Sequence, residues 1–146
     1  MKFSDVSQNS WEELRPYVDT CLLPVTGLTG AEQPWEAVQA LEELRDALDC
    51  FEIPYKGRVL TYPAYHFVLG EETGTMLRLV CKNLRENGFK YIVIISAKSE
   101  FEPLFMNAQA DLFFTLPKEK LNDSQHSVKE QISNKLQQLW SNKIDS

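Results

Sequence analysis

The sequence predicts an α/β protein: a three-layer α/β/α sandwich on a mainly parallel, four-stranded sheet. Three observations carry that expectation. Between Met76 and Leu84 apolar residues recur at helical spacing, and Asn87-Gly88 then stops them. Two residues later Tyr91-Ile92-Val93-Ile94-Ile95 is apolar on both faces, as a central parallel strand must be. Elsewhere short apolar runs alternate with amphipathic stretches, the order expected of parallel strands joined by right-handed helical crossovers.

The elements follow in chain order. Ser10-Trp11-Glu12-Glu13 has capping-box spacing, so a short helix is expected from Trp11, limited by Pro16. Thr20 to Val25 reads as a buried strand, and Thr26 to Gly30 as the loop after it. Pro34 suits a first helical turn. Val38, Leu41, Leu44 and Leu48 then line one face, and Pro54 and Gly57 close the segment. Arg58 to Tyr62 is a second strand. Pro63 to Val68 extends it only with a break or an edge position, because proline donates no ladder bond. Gly70 to Gly74 reads as a loop. The next helix starts near Thr75, with Met76, Leu77, Val80, Cys81 and Leu84 as its stripe. Gly88 takes the left-handed position past its end, and the strand Tyr91–Ile95 follows. Ser99-Glu100-Phe101-Glu102 is a second capping-box spacing before a short helix. Asp111 to Leu116 is a fourth strand, stopped by Pro117. Lys118 to His126 reads as a polar connector. Ser127-Val128-Lys129-Glu130 opens a last helix, with Val128, Ile132, Leu136 and Leu139 on one face and Trp140 beside them. The result is Rossmann-like in outline, one α/β domain over residues 1–146.

Composition narrows the function classes. The chain has 146 residues, enough to bury roughly two-thirds of its unfolded surface without staples. No apolar run is long enough for a membrane span, and Met1 to Ser10 lacks the apolar core of a signal peptide. Residues 1–54 carry three basic and eleven acidic side chains; residues 55–146 carry twelve and ten. No basic stripe suits a phosphate backbone, so nucleic acid is not an expected partner. The acidic excess lies on Glu36, Glu42, Glu43, Asp46, Asp49 and Glu52, a solvated helix face or a surface for a basic partner. Cys21, Cys50 and Cys81 are odd in number and lie in apolar or helical contexts. They read as buried reduced thiols of a cytoplasmic protein.

In an open parallel sheet, ligands bind outside the carboxyl ends of the strands. Those ends place Thr26, Gly27, Thr29, Tyr65, His66, Ser96, Lys98 and Ser99 together as candidate ligand-binding residues. An imidazole suits a base or a metal ligand, which makes His66 a candidate, yet His126 is the only other histidine and no set of three ligands is visible. Lys98 and Ser99 stand before a helix start where backbone N–H groups suit an anion; Ser99 serves equally as a plain cap. Thr73-Gly74-Thr75 is a similar helix start but lacks a P-loop ending. No Gly-x-Ser-x-Gly elbow and no Gly-x-Gly-x-x-Gly turn occurs. No catalytic residue, metal site or cofactor is therefore expected.

Two resemblances extend this reading. Met1-Lys2-Phe3-Ser4, Tyr17 to Pro24, Lys56-Gly57-Arg58 and Ser99-Glu100-Phe101-Glu102-Pro103-Leu104 resemble the YpiF-like family of uncharacterised Gram-positive bacterial proteins over nearly the whole chain. Leu23-Pro24-Val25, Pro63 to Thr75 and Gly88-Phe89 to Ile95 are similar in order to the creatininase-like amidohydrolases. That likeness implies a shared sheet without the hydrolase site. The metal-site positions fall on Thr29 and Ala31, and on Ser96, Ala97 and Lys98, which supply no carboxylate–imidazole set.

Together these point to a non-catalytic protein binding a protein partner or a small anionic ligand at the strand ends, with self-association also open. The alternative is a hydrolase-like enzyme with an atypical site around His66, Ser96 and Lys98. A third expectation is a scaffold docking through the acidic helix around Glu42 to Asp49.

Overall fold

The computed structural model describes residues 1–142. The elements are α1 (Gln8–Leu14), β1 (Thr20–Leu28), α2 (Pro34–Glu52), β2 (Val59–Thr61), β3 (Tyr65–Phe67), α3 (Glu72–Glu86), β4 (Tyr91–Ser96), α4 (Glu102–Met106), β5 (Leu112–Thr115) and α5 (Lys118–Asn142). Short 3-10 turns precede α1 and α4, at Phe3–Asp5 and Ser99–Phe101. Every strand pair is parallel. The sheet order is β2-β1-β4-β5, and β3 pairs β1 as well. Val25 of β1 faces Tyr65 on one side and Ser96 on the other. So β2 and β3 lie on the same side of β1 and form one edge strand, broken at Tyr62-Pro63-Ala64.

Two apolar cores fill the sandwich. On one face Leu22, Val93, Ile95 and Phe114 meet Leu44, Ala47 and Phe51 of α2 and Val128, Ile132 and Leu136 of α5. On the other, Cys21, Leu23, Ile92 and Ile94 meet Leu77, Cys81 and Leu84 of α3 and Phe105 of α4, with α1 at the margin. Burying each large aliphatic side chain contributes about 1.5–3 kcal/mol, so the layers hold by these stripes more than by helix propensity.

The helix–Gly–strand unit forms as expected. Gly88 has φ +111°. Its N–H donates to Arg85 O, and the Phe89 N–H donates to Leu84 O, a complete Schellman stop that delivers the chain into β4.

Several expectations are corrected. The sheet has five strands because the break at Pro63 divides one of the expected four. The first strand runs on to Leu28, taking in the expected loop residues Thr26 and Gly27. Helix α1 starts at Gln8, where Ser7 and Ser10 cap each other's backbone N–H groups at 3.2 and 2.8 Å. On α2, Val38 and Leu41 are exposed while Ala40, Ala47 and Phe51 are buried beside Leu44 and Leu48. The small alanines let the helix lie close on the sheet, which rotates its stripe away from Val38. Helix α3 begins at Glu72, inside the expected loop.

Ser99 makes no capping bond, and the Glu102 carboxylate accepts from the Thr115 hydroxyl instead. The expected polar connector is helical from Lys118: nothing between residues 118 and 142 is Gly or Pro, and Pro117 O accepts from the Lys120 and Leu121 N–H groups. A bend remains at Ser124, with φ −142° and ψ 39°, so the expected cap at Ser127 lies inside α5. Glu52, counted with the solvated acids, is buried.

Candidate functional site

The carboxyl ends of β1 and β4 are the point where the chain leaves the sheet toward opposite layers, β1 to α2 and β4 to α4. A crevice is expected there. In this protein the crevice is filled from within. Gly27 has φ +76°, and a Cβ built on it would stand 2.6 Å from the Phe101 ring and 2.9 Å from the Lys98 side chain. The glycine is required both by its backbone angle and by those two side chains, which lie over it.

The polar groups around this point are already paired. Thr26 Oγ1 donates to the His66 carbonyl at 2.9 Å and stands 3.3 Å from His66 Nδ1. A hydroxyl has one proton, so the imidazole contact suits the tautomer that carries hydrogen on Nδ1. Ser96 is fully buried, and its Oγ accepts from the Lys98 N–H at 3.2 Å. In the loop after β1, the Glu32 carboxylate accepts from the Thr29 N–H at 2.9 and 3.0 Å, from the Gly30 N–H at 2.9 Å and from the Thr29 hydroxyl at 3.0 Å. That loop is a ready anion cradle, and the chain supplies the anion itself. Desolvation works to raise the Glu32 carboxyl, but these backbone and hydroxyl bonds outweigh it and hold the group below its ordinary value.

The eight expected residues do not converge. Thr26 and His66 meet on the face toward α2. Ser96 lies beside Val25 on the face toward α3 and α4, so the sheet stands between the imidazole and the Ser96 hydroxyl. Tyr65 and Ser96 flank Val25 across two strand spacings, roughly 10 Å apart. Gly27 and Lys98 meet; Thr29 bonds to Glu32; Ser99 is exposed in its turn. Among the described residues no group of three His, Cys, Asp or Glu side chains is placed to hold a metal ion.

Sequence reasoning missed Glu32, Phe101 and Glu52. Glu32 had a signal, three residues after Thr29 in a Gly-containing turn, where side chain-to-backbone bonds are common. Phe101 had none, because its role depends on α4 folding back over β1. Cavities lie on other parts of the surface. One of about 470 Å³ separates α2 from α5, with Glu43, Asp46 and Asp49 facing Lys118 and Lys129. Two flank α3, and one sits at the broken edge of the sheet.

The fold and this end define a class: a doubly wound α/β sandwich whose switch point is plugged by its own side chains. Residues 9–142 match the family model described as "Protein of unknown function (DUF2487)", and the chain belongs to that family. No curated protein and no solved structure matches it.

Proposed function

We propose that the chain is one non-catalytic binding domain that receives a protein partner on the carboxyl end of its sheet. The observation that carries this reading is the placement of large apolar side chains around that end. Trp35 in the first turn of α2 is 68% exposed, Phe67 at the end of β3 is 54% exposed, and Leu69 just beyond it is 69% exposed. Large exposed aromatic and aliphatic side chains on one end of a sheet are the groups that a protein interface buries. A small anion would require free donors in a concave site, whereas Thr29 and Gly30 already hold Glu32 and the β1–β4 crevice is plugged. Lys98 then adds charge to the interface. Three buried free thiols favour a reducing, cytoplasmic setting. The likeness to the YpiF-like proteins fits this reading, as does the looser likeness to creatininase-like amidohydrolases without their metal-site residues.

The test compares the wild-type chain with the double variant Phe67→Asp, Leu69→Asp, and with Met106→Asp as a control at an exposed site on α4. Each is checked for folding by circular dichroism and then used for quantitative affinity capture. One partner retained by wild type and the control but lost by the double variant is the expected result. Identical capture by all three overturns the proposal. So does an absence of specific capture together with phosphate-induced shifts of the Lys98 and Ser99 amides, which moves the function to a small anion.

A further inference from the structure

The broken edge of the sheet carries a second feature, independent of the strand-end reading. Between α2 and the break at Tyr62-Pro63-Ala64 lies a cavity of about 210 Å³. It exists because the edge strand is interrupted: Pro63 ends the ladder, and the Ala64 methyl leaves room that a larger side chain would fill. Its walls are mostly apolar, from Pro24, Leu41, Leu44, Leu48 and Phe3. Phe3 is held there because Met1 O accepts from the Thr61 N–H at 2.8 Å and Lys2 bridges to Thr61.

The cavity wall also holds a buried carboxyl group. Glu52, the last residue of α2, is 8% exposed, and its Oε2 accepts from the Thr61 hydroxyl at 2.6 Å. Among the described residues no cation lies within the 4.0 Å of an ion pair with this carboxylate. Arg45, on the cavity rim, pairs with Asp46 at 3.7 Å, and Lys2, also on the rim, forms no ion pair among the described residues. A carboxylate has roughly four lone-pair directions, and one hydroxyl fills one of them. A buried carboxylate is costly unless paired and hydrogen-bonded.

We propose that this cavity is a binding site for a small primary amine, its ammonium on Glu52 and its apolar body against Leu41, Leu44, Leu48 and Phe3. The volume is of the right order for a single ring with an aminomethyl group, since an apolar cavity of about 150 Å³ accepts benzene, and the open side leaves the ring partly exposed. The buried carboxyl sets the class: an ammonium donates to its free lone pairs and supplies the opposite charge, whereas an alcohol of the same shape only donates.

Benzylamine is the probe, followed by amide chemical shifts and calorimetry on the full chain, with benzyl alcohol as the neutral match. The expected result is saturable binding of benzylamine, with shifts confined to residues 41–64 and the first three residues, and at least tenfold weaker binding of benzyl alcohol. Glu52→Gln keeps the acceptor for Thr61 and removes the charge, so it should lower benzylamine affinity tenfold or more. Ala64→Met fills the cavity and leaves the carboxylate, and should abolish binding. Equal binding of amine and alcohol, no saturable binding of benzylamine, or binding indifferent to Ala64→Met overturns the proposal. If Glu52→Gln fails to fold, the two probes on wild type and the Ala64→Met variant still decide it. Benzylamine binding that appears only in Lys2→Ala also overturns it, because Lys2 would then be the resident cation.

Discussion

The two ends of the sheet are tied by different kinds of bond. At the amino end the ties reach across the chain. Arg58 donates to both Asp19 oxygens at 3.0 and 3.2 Å, and its guanidinium lies 4.0 Å from the centre of the Trp140 ring. Trp140 Nε1–H donates to Thr20 Oγ1 at 3.0 Å, a partner 120 residues away in sequence, and Thr20 donates to Asp19 at 2.9 Å. Tyr55 packs edge-on against Trp140. At the carboxyl end local ties stand beside a few longer ones: Thr29 and Gly30 bind Glu32 and Lys98 binds Ser96, while Thr26 reaches the His66 carbonyl 40 residues away. Long-range ties disappear only when the fold opens, so they stabilise the whole. Local ties order a loop and can be exchanged without unfolding. Trp35, Phe67 and Leu69 stand exposed at the end with the exchangeable loop, as Tyr17 and Ile53 do near the other end.

The strongest way to break this contrast is Trp140→Ala. The residue is buried, and the change removes a large aromatic contact, the cation–π contact with Arg58 and the bond to Thr20 together. The expected loss is about 3–5 kcal/mol, read as a lowered urea midpoint with α5 detaching early in hydrogen exchange. A loss below about 1 kcal/mol, the size of an ordinary surface effect, would mean that the amino-end latch is not what holds α5.

A smaller effect tests how well that same end tolerates charge. Burial, then the nearby Asp19 carboxylate, push the Tyr91 phenol up against the opposing Arg58. Its hydroxyl has no partner among the described residues. Burial also raises the Cys21, Cys50 and Cys81 thiols, with Cys81 adding to the effect on Cys21. Each folded pKa lies above its unfolded value. The stability these groups lend is therefore present below the ordinary values of 9.0 for a thiol and 10.0 for a phenol, and is lost as pH rises through the raised ones. Denaturant midpoints should be flat near neutrality and fall above about pH 9. Tyr91→Phe removes the orphan hydroxyl, so at pH 7 it should leave stability unchanged or raise it by up to about 1 kcal/mol. It should also make the alkaline fall shallower. A clear loss of stability at pH 7 would show that the phenol has a partner after all.

How much of this was legible beforehand depends on the range of the interactions involved. The Met76–Ser96 unit was readable because its helix stripe, its Gly88 stop and its strand are all encoded within a few residues of one another. The layering followed from the alternation of elements. The stripe on α2 was misread because periodicity locates a face only to within a residue or so, and Ala40 and Ala47 outweighed Val38 and Leu41 once close approach to the sheet was possible. Polar composition disguised the first turns of α5 as a connector. At the strand ends, sequence placed its candidate residues at one end of the sheet but could not assign them to its two faces, and the face is what separates His66 from Ser96. Glu52 and Phe101 depend wholly on tertiary placement, so neither could be read from its neighbours.

The smallest expected effect sharpens the contrast most cleanly. Glu32→Gln removes the negative charge that the Thr29 and Gly30 N–H groups hold, and touches nothing in either core. The folded carboxyl lies below its ordinary value of 4.5, so its ordering effect is present above that value and fades as pH falls through the lowered one. In the wild type the Thr29 and Gly30 amide signals should therefore titrate together below pH 4.5, while Glu32→Gln should show weakened protection of those two amides at every pH. The urea midpoint should stay where it is, because the group is solvent-facing and its bonds span three residues at most. If the midpoint instead falls as far as it does in Trp140→Ala, the loop is part of the global fold, and the carboxyl end is no more exchangeable than the amino end.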